Sequence, residues 1–389
     1  MDKFPFARRT RWRRQTNALN KALEDLQAQK IPVADLTASN PTSCGFVYPD
    51  GMLSALNFAE NFNYHPDACG ISAARRAVAR YYARHREGVS PENIILTAST
   101  SEAYSFLMRL LVNPGEKVLI PKPSYPLFQF LLEINDVNFE HYPLMYDGQW
   151  RLDRRALESL VDAQTKAVIV VNPNNPTGSY LDRDELNFLS ALCRQHRMAI
   201  ISDEVFFEYP LDPGGAVSCA GHQAALTFVL GGLSKTLGLP QMKCAWILAS
   251  GPQPLLEESL SRLEIIADTY LSVNTPVQNA LSAWLGHAAG IQQQIISRVN
   301  ENRQWLKEHL SAHTELLSLQ GGWYATLRIP AVKSEEEWVL EFMREDHVSV
   351  YPGYFFDFEK EAYIILSLLP PAAVFQEAAG RILSRLAGI

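Results

Sequence analysis

A chain of 389 residues, 47% hydrophobic and 20% charged, can bury a large core, has room for two domains and is not disordered in composition. Its 35 basic against 42 acidic residues leave a net charge of −7, which offers no basic surface for nucleic acid, and no apolar run is long enough to span a bilayer. Five scattered cysteines without a Cys-x-x-Cys, and nine histidines without ligand spacing, argue against a disulfide framework and a metal site and fit a reducing cytoplasm.

The basic start, from Arg8 to Arg14, runs into a helical pattern through Leu19, Leu23 and Leu26 with acidic Glu24 and Asp25. It lacks an apolar signal core and reads as an N-terminal arm of the mature protein. Asn40-Pro41-Thr42, Gly45, Pro49 and Gly51 mark a loop. The spacing of Ala74, Val78, Tyr81 and Tyr82 predicts an amphipathic helix over 72–86. Strand and helix patterns then alternate. Strands are expected at 93–97 and 117–121, helices at 101–112 and 127–133, and an extended stretch near 139–142. A strand at 167–171, a helix at 183–196, strands at 198–201 and 227–230, and a return strand at 244–249 follow. That alternation predicts an α/β fold with a mostly parallel central sheet sandwiched by helices.

Residues 254–286 read as mostly helical, and a long helix is expected over 291–313. The pattern then changes to a strand at 323–329, a helix at 335–345, strands at 348–351 and 363–368, and a closing helix at 374–386. This is a smaller α+β domain. The expected division is an arm over 1–45 packing with the small domain, a large domain over 46–285 and a small domain over 286–389.

Three polar landmarks follow buried-strand patterns: Asn172-Pro173-Asn174-Asn175-Pro176-Thr177-Gly178, Ser202-Asp203-Glu204, and Ser234-Lys235-Thr236. An asparagine, an aspartate and a lysine at consecutive strand ends converge on one edge of an open sheet, where ligands bind. A lysine there can form a Schiff base with an aldehyde, and pyridoxal 5'-phosphate is the leading candidate. Its chemistry asks for a lysine as anchor and base, a carboxylate to keep the pyridine nitrogen protonated, a ring to stack on, and N–H groups for the phosphate. Lys235, Asp203 and Tyr125 fit the first three. Asn175 is a donor to the ring oxygen, Ser99-Thr100-Ser101 opens a helix as an anion site, and Ser234 adds a hydroxyl beside the lysine. Taken singly, these signals have plain readings: Asp203 as a helix cap, Ser99 to Ser101 as a generic helix start, and Tyr125 as packing. Trp323, Tyr324, Tyr354, Phe355 and Phe356 are ordinary core one by one, and as a cluster are candidates to line the site.

These landmarks, with Thr97-Ala98-Ser99-Thr100-Ser101-Glu102-Ala103 and Asn113-Pro114-Gly115-Glu116, resemble the class I/II aminotransferases of the fold type I pyridoxal-phosphate superfamily over nearly the whole chain. The resemblance implies a homodimer with active sites at the subunit interface, Tyr64 reaching the phosphate in the neighbouring subunit. It also exposes departures. Phe206 stands where a tyrosine is usual, Lys243 where an arginine binds phosphate, and Gly232 where a serine is common. Ile365, in Ala362-Tyr363-Ile364-Ile365-Leu366-Ser367, replaces the arginine that grips a substrate carboxylate. A cation from the arm, or Arg328, is the expected substitute; the alternative is a substrate without an ordinary α-carboxylate. The expected activity is transfer of an amino group from an amino acid or amine to a 2-oxo acid, ping-pong, through a Lys235 Schiff base. A pyridoxal-phosphate lyase of the C–S lyase or decarboxylase type, and a catalytically silent binding protein, are the alternatives.

Overall fold

The computed structural model describes residues 4–12, 17–212, 214–271, 273–360 and 362–388. Arg13 and Arg14 of the basic run lie outside the described residues. Eight strands build the large sheet: β1 (Ile94–Thr97), β2 (Lys117–Lys122), β3 (Asn138–Tyr146), β4 (Trp150–Leu152), β5 (Thr165–Val171), β6 (Ala199–Asp203), β7 (Thr227–Gly232) and β8 (Ala245–Ser250). Their spatial order is β1-β8-β7-β6-β5-β2-β3-β4. Strands β7, β6, β5, β2 and β3 are parallel neighbours; the return strand β8 runs against β1 and β7, and β4 against β3.

Parallel strands joined by crossover helices are covered on both faces, which is why their sequences read as unbroken apolar runs. Ile94, Leu96, Val168, Val170, Ile200 and Val229 feed the core beneath helices Ser72–Tyr82, Arg183–His196 and Thr275–Gly286. Their alternates Ile95, Ile169, Ile201, Phe228 and Leu230 feed a second core beneath Thr100–Leu111, Leu127–Ile134 and Gln253–Tyr270.

A second, antiparallel sheet contains β9 (Glu315–Leu316), β10 (Tyr324–Arg328), β11 (Tyr351–Pro352) and β12 (Tyr363–Ser367) in the order β9-β10-β12-β11. The architecture is thus the expected α/β fold with a smaller α+β unit. The single strand expected over 348–351 is split: Val348–Ser349 pairs in parallel with Ala34–Asp35, while Tyr351–Pro352 joins the small sheet. The helix expected to reach residue 313 stops at Glu308, and Ser311 N–H then closes a turn on Thr314 Oγ1 at 2.9 Å. The helix over 72–86 ends at Tyr82; Arg86 is drawn off to pair with Glu208 at 2.7 Å, across the Phe207 ring.

The N-terminal residues have two seats. Helix Ala18–Ala28, capped by Asn17, packs on helix Glu335–Glu345 beside the small sheet. Residues 8–12 instead lie on helix Leu127–Ile134, where Trp12 Nε1 donates to Glu133 at 2.6 Å and Arg9 pairs with Asp136.

Gly178 closes the Asn-Pro loop at φ +69°, and its carbonyl accepts from Gly321 N–H at 3.0 Å. A Cβ there would lie 2.2 Å from Leu319 Cδ1 and 2.5 Å from the Gly321 oxygen. Gly178→Ala is therefore expected to cost about 2 kcal/mol or more of stability through strain and overlap. Chemical denaturation measures this, and an unchanged midpoint would refute the packing described.

Candidate active site

Parallel register sets Val171 opposite Asp203, and Asp203 opposite Leu230. The residues that follow β5, β6 and β7 therefore emerge side by side at the carboxyl edge of the sheet. Lys235 occupies the one-turn helix Leu233–Thr236. Its Nζ donates to the Ser39 carbonyl at 3.4 Å and lies 5.4 Å and 5.0 Å from the ring centres of Phe206 and Trp323. Burial among these groups pushes the ammonium down to about 8, while the charge of Asp203 opposes the shift.

Asp203 is held at both oxygens. Oδ1 accepts from Val205 N–H at 3.2 Å and Oδ2 from the Tyr104 hydroxyl at 3.1 Å. Burial still pushes its carboxyl up to about 6, against those hydrogen bonds. Asn172 and Asn174 are spent on the loop: Asn172 donates to Val217 O at 2.9 Å and accepts from Leu181 N–H at 3.0 Å, and Asn174 accepts from the Thr177 hydroxyl at 2.9 Å. Asn175 is different. It is buried, and its Oδ1 has no hydrogen-bond partner. A buried amide end is seldom left unpaired unless a ligand completes it.

The remaining sequence candidates are placed as follows. Ser99 caps helix Thr100–Leu111, its Oγ accepting from Glu102 N–H at 3.1 Å, and the Glu102 carboxylate takes Ala98 N–H at 2.7 Å. Ser99 thus does serve as the cap, and among the described residues the Thr100 and Ser101 N–H groups keep no acceptor. Tyr125 is half-exposed, and burial followed by the charges of Tyr351 and Asp203 raises its phenol. Ser234 is half-buried beside Lys235; Lys243 is exposed at φ +49° after the turn Pro240–Met242. Gly232 is dictated by the sheet, because a Cβ would lie 2.9 Å from that of Ala245. Tyr64 is 70% exposed and lines an open cavity with Leu96, Leu271 and Asn274, apart from the contacts around Lys235.

The family described as aminotransferase class I and II matches residues 25–382. The chain belongs to this family. It is accordingly a fold type I pyridoxal-phosphate transaminase. It is 27% identical to the glutamate-pyruvate aminotransferase AlaA of Haemophilus influenzae over 91% of this chain and 90% of that protein. It is equally 27% identical to an alanine aminotransferase of Mycobacterium tuberculosis, over 89% of this chain and 83% of that protein. Its fold matches the solved alanine aminotransferase of Pyrococcus furiosus with a TM-score of 0.89 at 24% identity, covering 99% and 100% of the two chains.

One expectation about this aminotransferase needs correction. Arg328 does not replace the missing carboxylate grip: it pairs with Glu315 at 2.5 Å and lies over the rings of Tyr146 and Tyr363. In the arm, Arg9 is paired with Asp136. Ile365 itself is fully buried in β12. Phe206 is no hydroxyl donor but an apolar wedge, edge-on to Trp323 at 5.0 Å. Sequence reasoning missed Tyr104 and Ser39. Tyr104 lies one turn inside the helix that Ser99 caps, on its buried face, which was the available signal.

Proposed function

We propose that this aminotransferase transfers an amino group between an amino compound and an oxo compound in two half-reactions at Lys235, with pyridoxal 5'-phosphate as cofactor. The observation that carries the reading is the buried Asp203 carboxylate, fixed at both oxygens, beside a lysine whose ammonium is destabilised. The Asn175 amide, whose buried Oδ1 has no partner and whose NH₂ would donate to the ring oxygen, and the Thr100 and Ser101 N–H groups, without an acceptor among the described residues, fit the cofactor. When bound, the cofactor supplies an aldehyde for the substrate amine and a ring that absorbs the electron pair released at the substrate carbon.

The protein's own groups do the rest. Lys235, as a neutral amine, would take a proton from the amine-bearing carbon of the substrate and give it up at the carbon on the far side of the nitrogen. Asp203 would keep the ring nitrogen protonated, and the Asn175 NH₂ would donate to the ring oxygen. Tyr125 would cover the ring face, while Thr100, Ser101, Ser234 and Lys243 would receive the phosphate with the N-terminal Ser99 turn. Phe206 and Trp323 exclude water from the lysine. Tyr64 completes the phosphate site of a second copy, and exposed Phe62, Tyr64 and Ile265, at 96%, 70% and 69%, support a homodimer through this face. Five free cysteines, four of them buried, support a reducing cytoplasm.

The test is the absorption spectrum of the cofactor-loaded protein. Adding an amino donor is expected to exchange the aldehyde-form band for that of the amine form, and an oxo acceptor to restore it. Ammonia release without any acceptor would show elimination instead.

Tyr104→Phe removes a hydrogen bond to a buried carboxylate, an interaction worth about 1.5–3 kcal/mol. Turnover is expected to fall about tenfold or more, with KM unchanged. The Asp203 carboxyl moves further above its present value, since the lost bond lowers it. The pH profile of turnover checks this, and an acid limb that stays in place would show that the hydroxyl only packs.

A further inference from the structure

The small sheet turns one face toward the extended segment that carries Ser39, the carbonyl nearest Lys235. Tyr324 is paired with Ser367, and Ile365 lies between Thr326 and Tyr351, so these side chains share that face. The Ser367 hydroxyl ties it to the segment by donating to Ala38 O, with Tyr324 close to Ser39 and Tyr351 close to Thr37. Phe206 and Trp323 place two aromatic rings beside the Lys235 ammonium and Ile365 puts a hydrocarbon on the sheet face, where the polar atoms are uncharged: the Ser39 carbonyl, and Trp323 Nε1 and Thr326 Oγ1, both buried without partners. Among the described residues, Asp203 is the charge that opposes the loss of the Lys235 proton.

Nearby cations among the described residues are committed elsewhere. Arg328 is paired with Glu315, Lys122 faces Glu359 at 4.0 Å, and Arg298 donates to the carbonyls of Cys44 and Leu369 at 3.3 Å and 3.4 Å. A free carboxylate on the substrate carbon would be desolvated here without a cationic partner, which is strongly disfavoured, whereas a hydrocarbon or ring gains from the same surface.

Building on the transaminase reading, we propose that this site takes primary amines whose amine-bearing carbon carries hydrogen or an apolar group in place of a carboxylate, with an aldehyde or ketone of the same kind as acceptor. In each donor half-reaction the substrate's carbon–nitrogen bond breaks and a carbon–oxygen double bond forms. Amine plus enzyme-held aldehyde gives carbonyl compound plus enzyme-held amine. The substrate carbon loses two electrons, the aldehyde carbon gains them, and the acceptor reverses the exchange. Both partners must lack the carboxylate, because both use one wall.

Matched pairs test this: phenethylamine against phenylalanine, and propylamine against 2-aminobutanoate, in single turnovers of protein loaded with pyridoxal phosphate. Each amine is expected to exceed its amino acid at least tenfold in efficiency. An amino acid equal to or better than its amine overturns the proposal while leaving transamination intact. If Arg298→Met then weakens the amino acids alone, that arginine is the carboxylate's partner. No reaction from either member of either pair overturns the transaminase reading and the proposal together. A binding readout stands apart from turnover: calorimetric titration of cofactor-free protein with 3-phenylpropanol and 3-phenylpropanoate, above a pH of about 8 where Lys235 is neutral. The alcohol is expected to bind more tightly; a tighter carboxylate overturns the proposal.

Discussion

Lys235→Ala is expected to abolish amino-group exchange, lowering the single-turnover rate by roughly 10³-fold or more, at the upper end of what a positioned acid–base group contributes. In the proposed mechanism two functions reside in one atom, since the same Nζ would be the nucleophile toward the cofactor aldehyde and the carrier of the substrate proton. Asp203, held by Val205 N–H and the Tyr104 hydroxyl, is assigned to the ring nitrogen of the cofactor and does not stand in for it. Binding of the cofactor through its phosphate should survive, so dialysis and absorption separate lost chemistry from lost affinity. Partial restoration by a small primary amine in solution would confirm that a missing base limits the variant. A rate within tenfold of the parent would remove Lys235 from the mechanism.

The pH dependence follows from the same burial. A neutral amine is the reactive form, and the Lys235 value is lowered from 10.5 to about 8. Uptake of pyridoxal phosphate by the cofactor-free protein should accelerate with pH and level off above about 8; levelling only near 10.5 would mean a solvated lysine. The linked effect on stability has a definite sign. Between these values the unfolded chain binds more protons than the folded one, so this contribution to stability grows as pH rises across the window and is lost as pH falls through about 8.

Asp203→Asn is expected to lower turnover by roughly 10²-fold or more, since the electron-withdrawing power of the ring depends on a carboxylate that keeps its nitrogen protonated. The same substitution should stabilise the cofactor-free protein. The Asp203 carboxyl is raised from 3.8 to about 6, so the stability it contributes is complete below 3.8 and lost as pH rises through about 6. At neutral pH the native protein therefore carries a strained buried charge. An amide removes it, and the Tyr104 hydroxyl can turn to accept from the new NH₂ group. Thermal unfolding at several pH values checks this: the variant's advantage should grow between about 4 and 6 and then hold. A variant less stable than the parent at neutral pH would show that the carboxylate supports the fold.

Opposite changes in activity and stability are the expected signature of a group retained for chemistry. Gly178 supplies the contrast, because its replacement should cost stability through backbone strain while touching no reacting atom.

Much of this was legible in the chain. The apolar runs ending at Val171, Asp203 and Gly232 announce strands buried on both faces, and in parallel strands the residue after each run must emerge at one edge. Asn175, Asp203 and Lys235 could therefore be grouped from order alone. Strand β3 was harder to read than the others, because it is only partly buried and its nine residues lack a continuous apolar run.

Other features depend on pairs far apart in sequence. Tyr104 and Asp203 are separated by 99 positions, and Ser39 and Lys235 by 196; no local period encodes either meeting. The direction of Arg328 was decided by the pairing of β9 with β10, which offers Glu315 across the strand. The arm divides between two seats because Trp12 finds Phe130 and Glu133 on one helix, while Leu19, Ala22 and Leu26 are buried where helix Ala18–Ala28 meets another. The sequence by itself determined the sheet and the trio of polar residues at its edge, since both follow from local hydrophobic pattern and strand order. Only the tertiary structure decided how Asp203 is held and how apolar the wall around Lys235 is, because desolvation and hydrogen bonding depend on neighbours that chain order does not specify.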